Sequence, residues 1–250
     1  MSGPLVVGAT DPMVMWCAEG AIMSARSTAD RGGLGDVGLV VGSPGPQDWG
    51  TIGEMERFVA VLGAETPGGA YFHDVVHRAE VVCALESADL GSVVGLDVPS
   101  VVTGLPRPPS KPAPEAEAEA DRYCAMIRDG LASAEDPADT STIAIVAGRG
   151  AMLAARAVAA WQSGRAVAAL TDAPVPEALS GGGALVAQQV LVAYEAADLL
   201  SRAAPLRRSL ARQGQRSMER MPTVDEVATR ILEAIALASA GRNRTAVVSA

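Results

Sequence analysis

Three short apolar runs in this chain each end on a glycine: Leu5-Val6-Val7-Gly8, Leu39-Val40-Val41-Gly42 and Ile143-Ala144-Ile145-Val146-Ala147-Gly148. Longer amphipathic stretches separate such runs. Parallel strands covered on both faces read as unbroken apolar segments, and each needs a crossover before the next strand can begin. The alternation therefore predicts an α/β fold, Rossmann-like and doubly wound, with a mostly parallel sheet and a helical C-terminal extension. Strands are expected at Pro4–Val7, Val37–Val41, Ala70–Val76, Val93–Val102 (with a turn at Asp97-Val98-Pro99), Ile143–Ala147, Arg165–Leu170 and Ala184–Ala187. Helices are expected from about Met13 to Ser27, over Thr51–Leu62, Arg78–Ser87, Gly148–Gln162 and Glu177–Leu179, and throughout Gln188–Ala240. The Thr51–Leu62 assignment follows Ile52, Met55, Phe58, Val59 and Leu62, which recur at helical spacing. One domain over 1–240 is expected, with a Pro/Ala/Glu-rich insertion at about 104–141 holding a charged helix, Glu115–Ala132, and a flexible tail at 241–250.

Composition narrows the function classes. Aromatic residues make up only 3% of the chain, so the core must be small aliphatic packing, as helices laid closely on a sheet require. A formal charge of −9 repels phosphate at long range and argues against broad nucleic-acid contact. Three cysteines, Cys17, Cys83 and Cys124, with no CxxC spacing, suit a reducing compartment. The first residues, MSGPLVVGATDP, lack a basic segment followed by an apolar one, and no apolar run is long enough to span a bilayer. The expectation is a cytoplasmic protein without a membrane span.

In a parallel sheet, ligands collect beyond the carboxyl ends of the strands, where glycines let the backbone approach a phosphate and helix N-termini offer N–H groups. The candidate binding residues are therefore Gly8, Thr10 and Asp11 after the first strand, and Gly42 and Ser43 after the second. Gly148, Arg149 and Gly150 follow the strand Ile143–Ala147, and Asp172 and Glu177 lie in the loop Thr171–Glu177. Arg149 is the one cation placed to pair an anion. The third glycine of a dinucleotide fingerprint is replaced by Leu153, so no cofactor is expected, although Asp172 sits where a ribose-binding acid would follow. His73 and His77, four apart with Glu80 beyond, would need a continuous helix to hold a metal; placed at a strand-to-helix junction, they are not expected to hold one. Cys83 reads as an apolar core residue. No GxSxG, P-loop, HExxH or paired CxxC motif occurs.

The order of these loops resembles the C-terminal, donor-binding domain of retaining GT-B glycosyltransferases. Leu5–Pro12 resembles its opening strand, and Gly38–Ser43 its second Val-Gly strand. Met55 through Asp89 resembles its helix–strand–helix ending in Ala-Asp, and Gly164–Ala169 its Gly-x-Pro-Val strand. Asp172–Leu179 is similar to its Pro-Glu turn, Gly181–Val186 to its Gly-x-Leu-Val strand, and the segments from Pro205 and from Pro222 to its closing helices. The resemblance covers nearly all the chain except roughly 90–140. It implies a nucleotide-sugar with its diphosphate near Gly8, Gly42 and Gly148–Gly150 and its sugar near Glu177. Where the family carries a basic pair for the diphosphate, this chain offers Met13 and Met15; the family's glutamate pair is absent from Ala151–Ala159, and its acceptor-binding half is missing. The resemblance thus leaves two forms open: a glycosyltransferase, or a non-catalytic subunit that keeps the fold and binds a protein partner or its own copy. Gly42-Ser43 with Asp48-Trp49, then His77-Arg78 and Ala147–Leu153, is similar instead to the aminoimidazole-ribonucleotide carboxylase family. There His77 would carry the proton and Asp48 would help bind the ribonucleotide.

Overall fold

A computed structural model describes residues 3–63, 70–92, 97–114 and 119–247. The elements run β1 (Leu5–Val7), α1 (Pro12–Arg31), β2 (Gly38–Val41), α2 (Trp49–Glu54), β3 (Phe58–Leu62), α3 (Ala70–Arg78), β4 (Val81–Ala84), β5 (Ser100–Val102) and α4 (Glu119–Ala132). They continue with β6 (Ile143–Ala147), α5 (Gly150–Gln162), β7 (Ala166–Leu170), α6 (Glu177–Ser180), β8 (Ala184–Ala187), α7 (Val190–Arg202), α8 (Ala204–Glu219) and α9 (Val224–Val247). The fold is α/β and Rossmann-like, and among the described residues every strand pair is parallel.

The strands form two sheets, ordered β1-β2-β3-β4-β5 and β6-β7-β8, in two compact units. The first unit comprises 1–11, 18–106 and 222–250; the second comprises 12–17 and 107–221. The segments that the donor-domain resemblance runs together are shared between these two sheets.

In the first unit, Val6, Val40, Phe58, Ala60, Leu62 and Val82 pack against Ile52, Met55, Val75, Val76 and Ala79 from the α2 and α3 side. The alternate residues Leu39, Val41, Val59, Val61 and Cys83 are buried as well, so both faces are covered. Helix α9 packs on β3 and β4, burying Val227, Ile231, Ala234 and Ile235. A reciprocal cap starts it: the Thr223 N–H donates to Glu226 Oε2 (2.7 Å), and the Glu226 N–H donates to Thr223 Oγ1 (3.2 Å). Arg57 donates to the carbonyls of Ala238 and Ser239 near its far end.

In the second unit, Ile143, Ile145 and Ala147 join Ala166, Ala168 and Leu170 under α4 and α7, through Cys124, Ile127, Leu131, Ala193, Ala197 and Leu200. Trp161 of α5 is fully buried and donates its indole N–H to the Gly183 carbonyl at 3.0 Å. Gly214 of α8 lies against that indole so closely that a Cβ there would stand 2.3 Å from Cδ1.

The elements from β6 to β8 lie where the sequence put them; the stretch 51–87 does not. The expected helix Thr51–Leu62 divides into α2 and β3, because Phe58–Leu62 is buried at every position between β2 and β4. The expected strand Ala70–Val76 is the amphipathic helix α3, and the expected helix Arg78–Ser87 contains strand β4 instead. Only Ser100–Val102 of the expected strand Val93–Val102 is extended; 93–96 and the start of the charged helix at 115–118 fall outside the described residues. Helix α9 runs on to Val247, past Gly241 where a tail was expected; 248–250 are not among the described residues.

Candidate functional site

The loops after β1 and β2 are locked together by backbone. The Gly8 N–H donates to the Val41 carbonyl (2.8 Å) and the Ala9 N–H to that of Ser43 (2.8 Å). The Ser43 N–H donates back to Ala9 (3.1 Å), and the Gly42 N–H donates to Val61 (3.0 Å). Gly8 is required because a Cβ there would lie 2.2 Å from the Ser43 carbonyl oxygen, and Gly42 turns the chain at φ +76°. The structure thus brings Gly8 and its neighbour onto Gly42 and Ser43. Yet the N–H groups that would cradle a phosphate are bonded to carbonyls within the protein. Thr10 and Asp11 follow directly, ahead of Pro12 at the start of α1.

The loops after β6 and β7 meet through side chains. Because these strands are adjacent and parallel, their carboxyl ends place Arg149 beside Asp172. The guanidinium holds the carboxylate in a two-pronged fork, Nε on Oδ1 and Nη2 on Oδ2. The fork is exposed, at 50% and 61% side-chain exposure, so solvent can exchange with it. The arginine's hydrogen bonds hold the Asp172 carboxyl below the usual aspartate range and raise Arg149 in turn. Arg149 caps the start of α5 in extended conformation, and the first hydrogen bond returning into that turn is from the Leu153 N–H to the Arg149 carbonyl. The Gly148 N–H goes to Leu170 (3.1 Å). Glu177 stands exposed in the first turn of α6.

The two loop pairs belong to different units: Gly8, Thr10, Asp11, Gly42 and Ser43 to the first, and Gly148, Arg149, Gly150, Asp172 and Glu177 to the second. The Asp48 carboxylate accepts from the Gly45 N–H at 2.7 Å. His73 and His77 do share helix α3, contrary to the junction expected there, and both are exposed. Glu80 lies beyond the helix end, and among the described residues no three His, Cys, Asp or Glu side chains gather as a metal site. Burial pushes the thiols of Cys17 and Cys83 up to about 12, which makes both neutral packing groups at ordinary pH. Among the described residues no helix is long and apolar enough to cross a membrane.

One charged residue escaped the sequence reading. Arg156 is the lone charge in the apolar run Gly150–Gln162, and that isolation was its signal. It is buried, with Nη1 on the Ala147 carbonyl at 2.8 Å and 3.4 Å from Asp121 Oδ1.

No family model matches the chain, and no curated protein matches it. Among solved structures it is similar to the trehalose-6-phosphate phosphatase N-terminal domain of Candida albicans, at 10% identity and a TM-score of 0.28. That alignment covers 94% of this chain and 42% of the other, so the chain spans less than half the length of the structure it matches.

Proposed function

We propose that this chain is a glycosyltransferase-like α/β protein that keeps the fold, has lost donor chemistry, and acts as a non-catalytic binding partner. The observation that carries this reading is the fork between Arg149 and Asp172, which neutralises the one cation the candidate loops offered to a diphosphate. The backbone closure of Gly8 on Ser43 and the methionines at 13 and 15 support it from the other loop pair. Exposed apolar side chains on α4 (Tyr123, Met126) and on α7 (Leu191, Val192, Leu199) support a partner role.

Thermal-shift titration with UDP, GDP, ADP, their sugar conjugates and an aminoimidazole ribonucleotide tests the proposal. A ligand at about 100 times its dissociation constant adds roughly 2.7 kcal/mol to the native state. The expected result is no midpoint rise that Arg149→Ala abolishes. A rise with a nucleotide-sugar, lost in that variant, would restore the donor-binding reading. A rise with the ribonucleotide alone, lost in His77→Ala, would favour the carboxylase-like one. Size-exclusion chromatography should meanwhile show association; a monomer turning over a nucleotide-sugar by itself would overturn the proposal.

A further inference from the structure

Strand β6 is an edge of its sheet, and its outer side is not bare. The Gly148 N–H bonds to Leu170, and Ala147 pairs in register with Leu170. Backbone direction alternates along a strand, so Ala144 and Val146 also face β7, while Ile143, Ile145 and Ala147 turn their N–H and C=O groups outward. Two of the outward carbonyls are taken by arginines: Arg128 Nη2 approaches that of Ile145 at 3.5 Å, and Arg156 Nη1 that of Ala147 at 2.8 Å. Arginines on its carbonyls blunt this edge against another strand.

Along the same edge runs a cavity of about 870 Å³, wholly within the second unit. Ile143–Val146 form one wall, and the Pro-rich segment at 110–114 forms another. It extends towards the amino ends of β6 and β7, where Thr140, Ser141, Ser163 and Arg165 line it. The loops carrying Arg149 and Asp172 lie at the opposite, carboxyl ends of the same strands. Among the described residues, its charged lining is Lys111, Arg128, Arg156 and Arg165 against Asp121 alone. That balance runs against a chain whose net charge is −9.

We propose that this cavity binds a small phosphorylated molecule. Its volume is in the range of small-molecule sites, roughly 300–1,000 Å³. Guanidinium groups on several sides supply planar, paired donors for phosphate oxygens, and semi-enclosure strengthens those charges relative to open water. Arg128 and Arg165 are exposed and can turn to an incoming anion, while Arg156 is fixed. The outward N–H group of Ile145 adds a donor along the strand, and the flanks of Ile143–Val146 and Pro112 provide apolar surface for the body of the molecule. The inference stands apart from the fate of the Arg149 loop.

Pyrophosphate is the probe. Titrated into the intact chain against sodium chloride of equal ionic strength, it should raise the thermal midpoint. Arg128→Ala and Arg165→Ala should each weaken its apparent affinity at least tenfold, Asp121→Asn should tighten it, and Arg149→Ala should leave it unchanged. Amide hydrogen exchange read on the unaltered protein should show pyrophosphate slowing Ile145. A midpoint rise no greater than that in sodium chloride would overturn the proposal. So would a rise that survives the Arg128→Ala/Arg165→Ala double variant, or unchanged exchange at Ile145. A rise lost only in Arg149→Ala would overturn both this inference and the non-catalytic reading of the loops.

Discussion

The two pairs of carboxyl-end loops are shut by different means. After β1 and β2, carbonyls of Val41, Ser43, Ala9 and Val61 hold the amides of Gly8, Ala9, Ser43 and Gly42. After β6 and β7, an exposed arginine and an exposed aspartate do the closing, and the first turn of α5 lies next to them. Backbone closure of that kind is part of the fold, and breaking it would leave amides unsatisfied. An exposed ion pair contributes little to stability, so removing one partner frees the other at small cost to the fold. The first pair is therefore a structural clasp, while the second is a closure that a single substitution can open.

The largest expected effect tests the clasp. Gly8→Ala would force Cβ into the Ser43 carbonyl, and a loss of about 3 kcal/mol is expected from urea unfolding, at the upper end of overpacking costs. A loss under about 0.5 kcal/mol, the level of ordinary surface changes, would show that the two loops do not hold each other. Gly42→Ala, at φ +76°, should cost about 1 kcal/mol by the same measurement, because the left-handed turn is penalised for a residue with a Cβ. On the other side, Asp172→Ala should change stability by no more than about 0.5 kcal/mol. The same substitution should create measurable pyrophosphate binding at α5 that Arg149→Ala then removes; calorimetry showing no gain would make the fork merely decorative.

The smallest effect is electrostatic. Because Arg149 holds the Asp172 carboxyl below its ordinary value, the native state binds this proton less readily than the unfolded chain. Its contribution is complete above the unfolded aspartate value and disappears as pH falls through the lower folded one. Carboxyl-carbon NMR titration should place Asp172 low in the intact chain and return it towards the ordinary range in Arg149→Ala. An identical titration in both would remove the fork from solution.

Legibility followed locality. Ile143–Ala147, bounded by a polar loop and Gly148, could hardly be misread, and β6 and β8 fall on the expected residues. Phe58–Leu62 could, because a strand buried on both faces shows no alternation, and Ile52, Met55, Phe58, Val59 and Leu62 happen to share helical spacing. Pairing is not local at all, so the division of the strands between the two sheets left no trace in any single segment. Arg149 and Asp172 were both singled out, but for separate tasks. Their adjacency follows only once β6 and β7 are known to be neighbours in parallel. The cavity was less legible still, since Arg128, Arg156 and Arg165 converge from two helices and a loop with no motif linking them.

Helix α9 has a consequence for the order in which the chain can mature. The first unit is split in sequence: its sheet is complete by Val102, but the helix that covers β3 and β4 is not synthesised until after Met221. On the ribosome, the second unit's 107–221 segment therefore emerges entire while Val59, Val61 and Cys83 still await Ile231 and Ile235. During that interval an apolar sheet surface has no lid, and the nascent chain depends on chaperones or speed to keep it from other chains. A stop codon anywhere between Pro222 and Ile235 would make that vulnerable interval permanent, leaving a chain whose second unit is whole and whose first unit is a substrate for quality control.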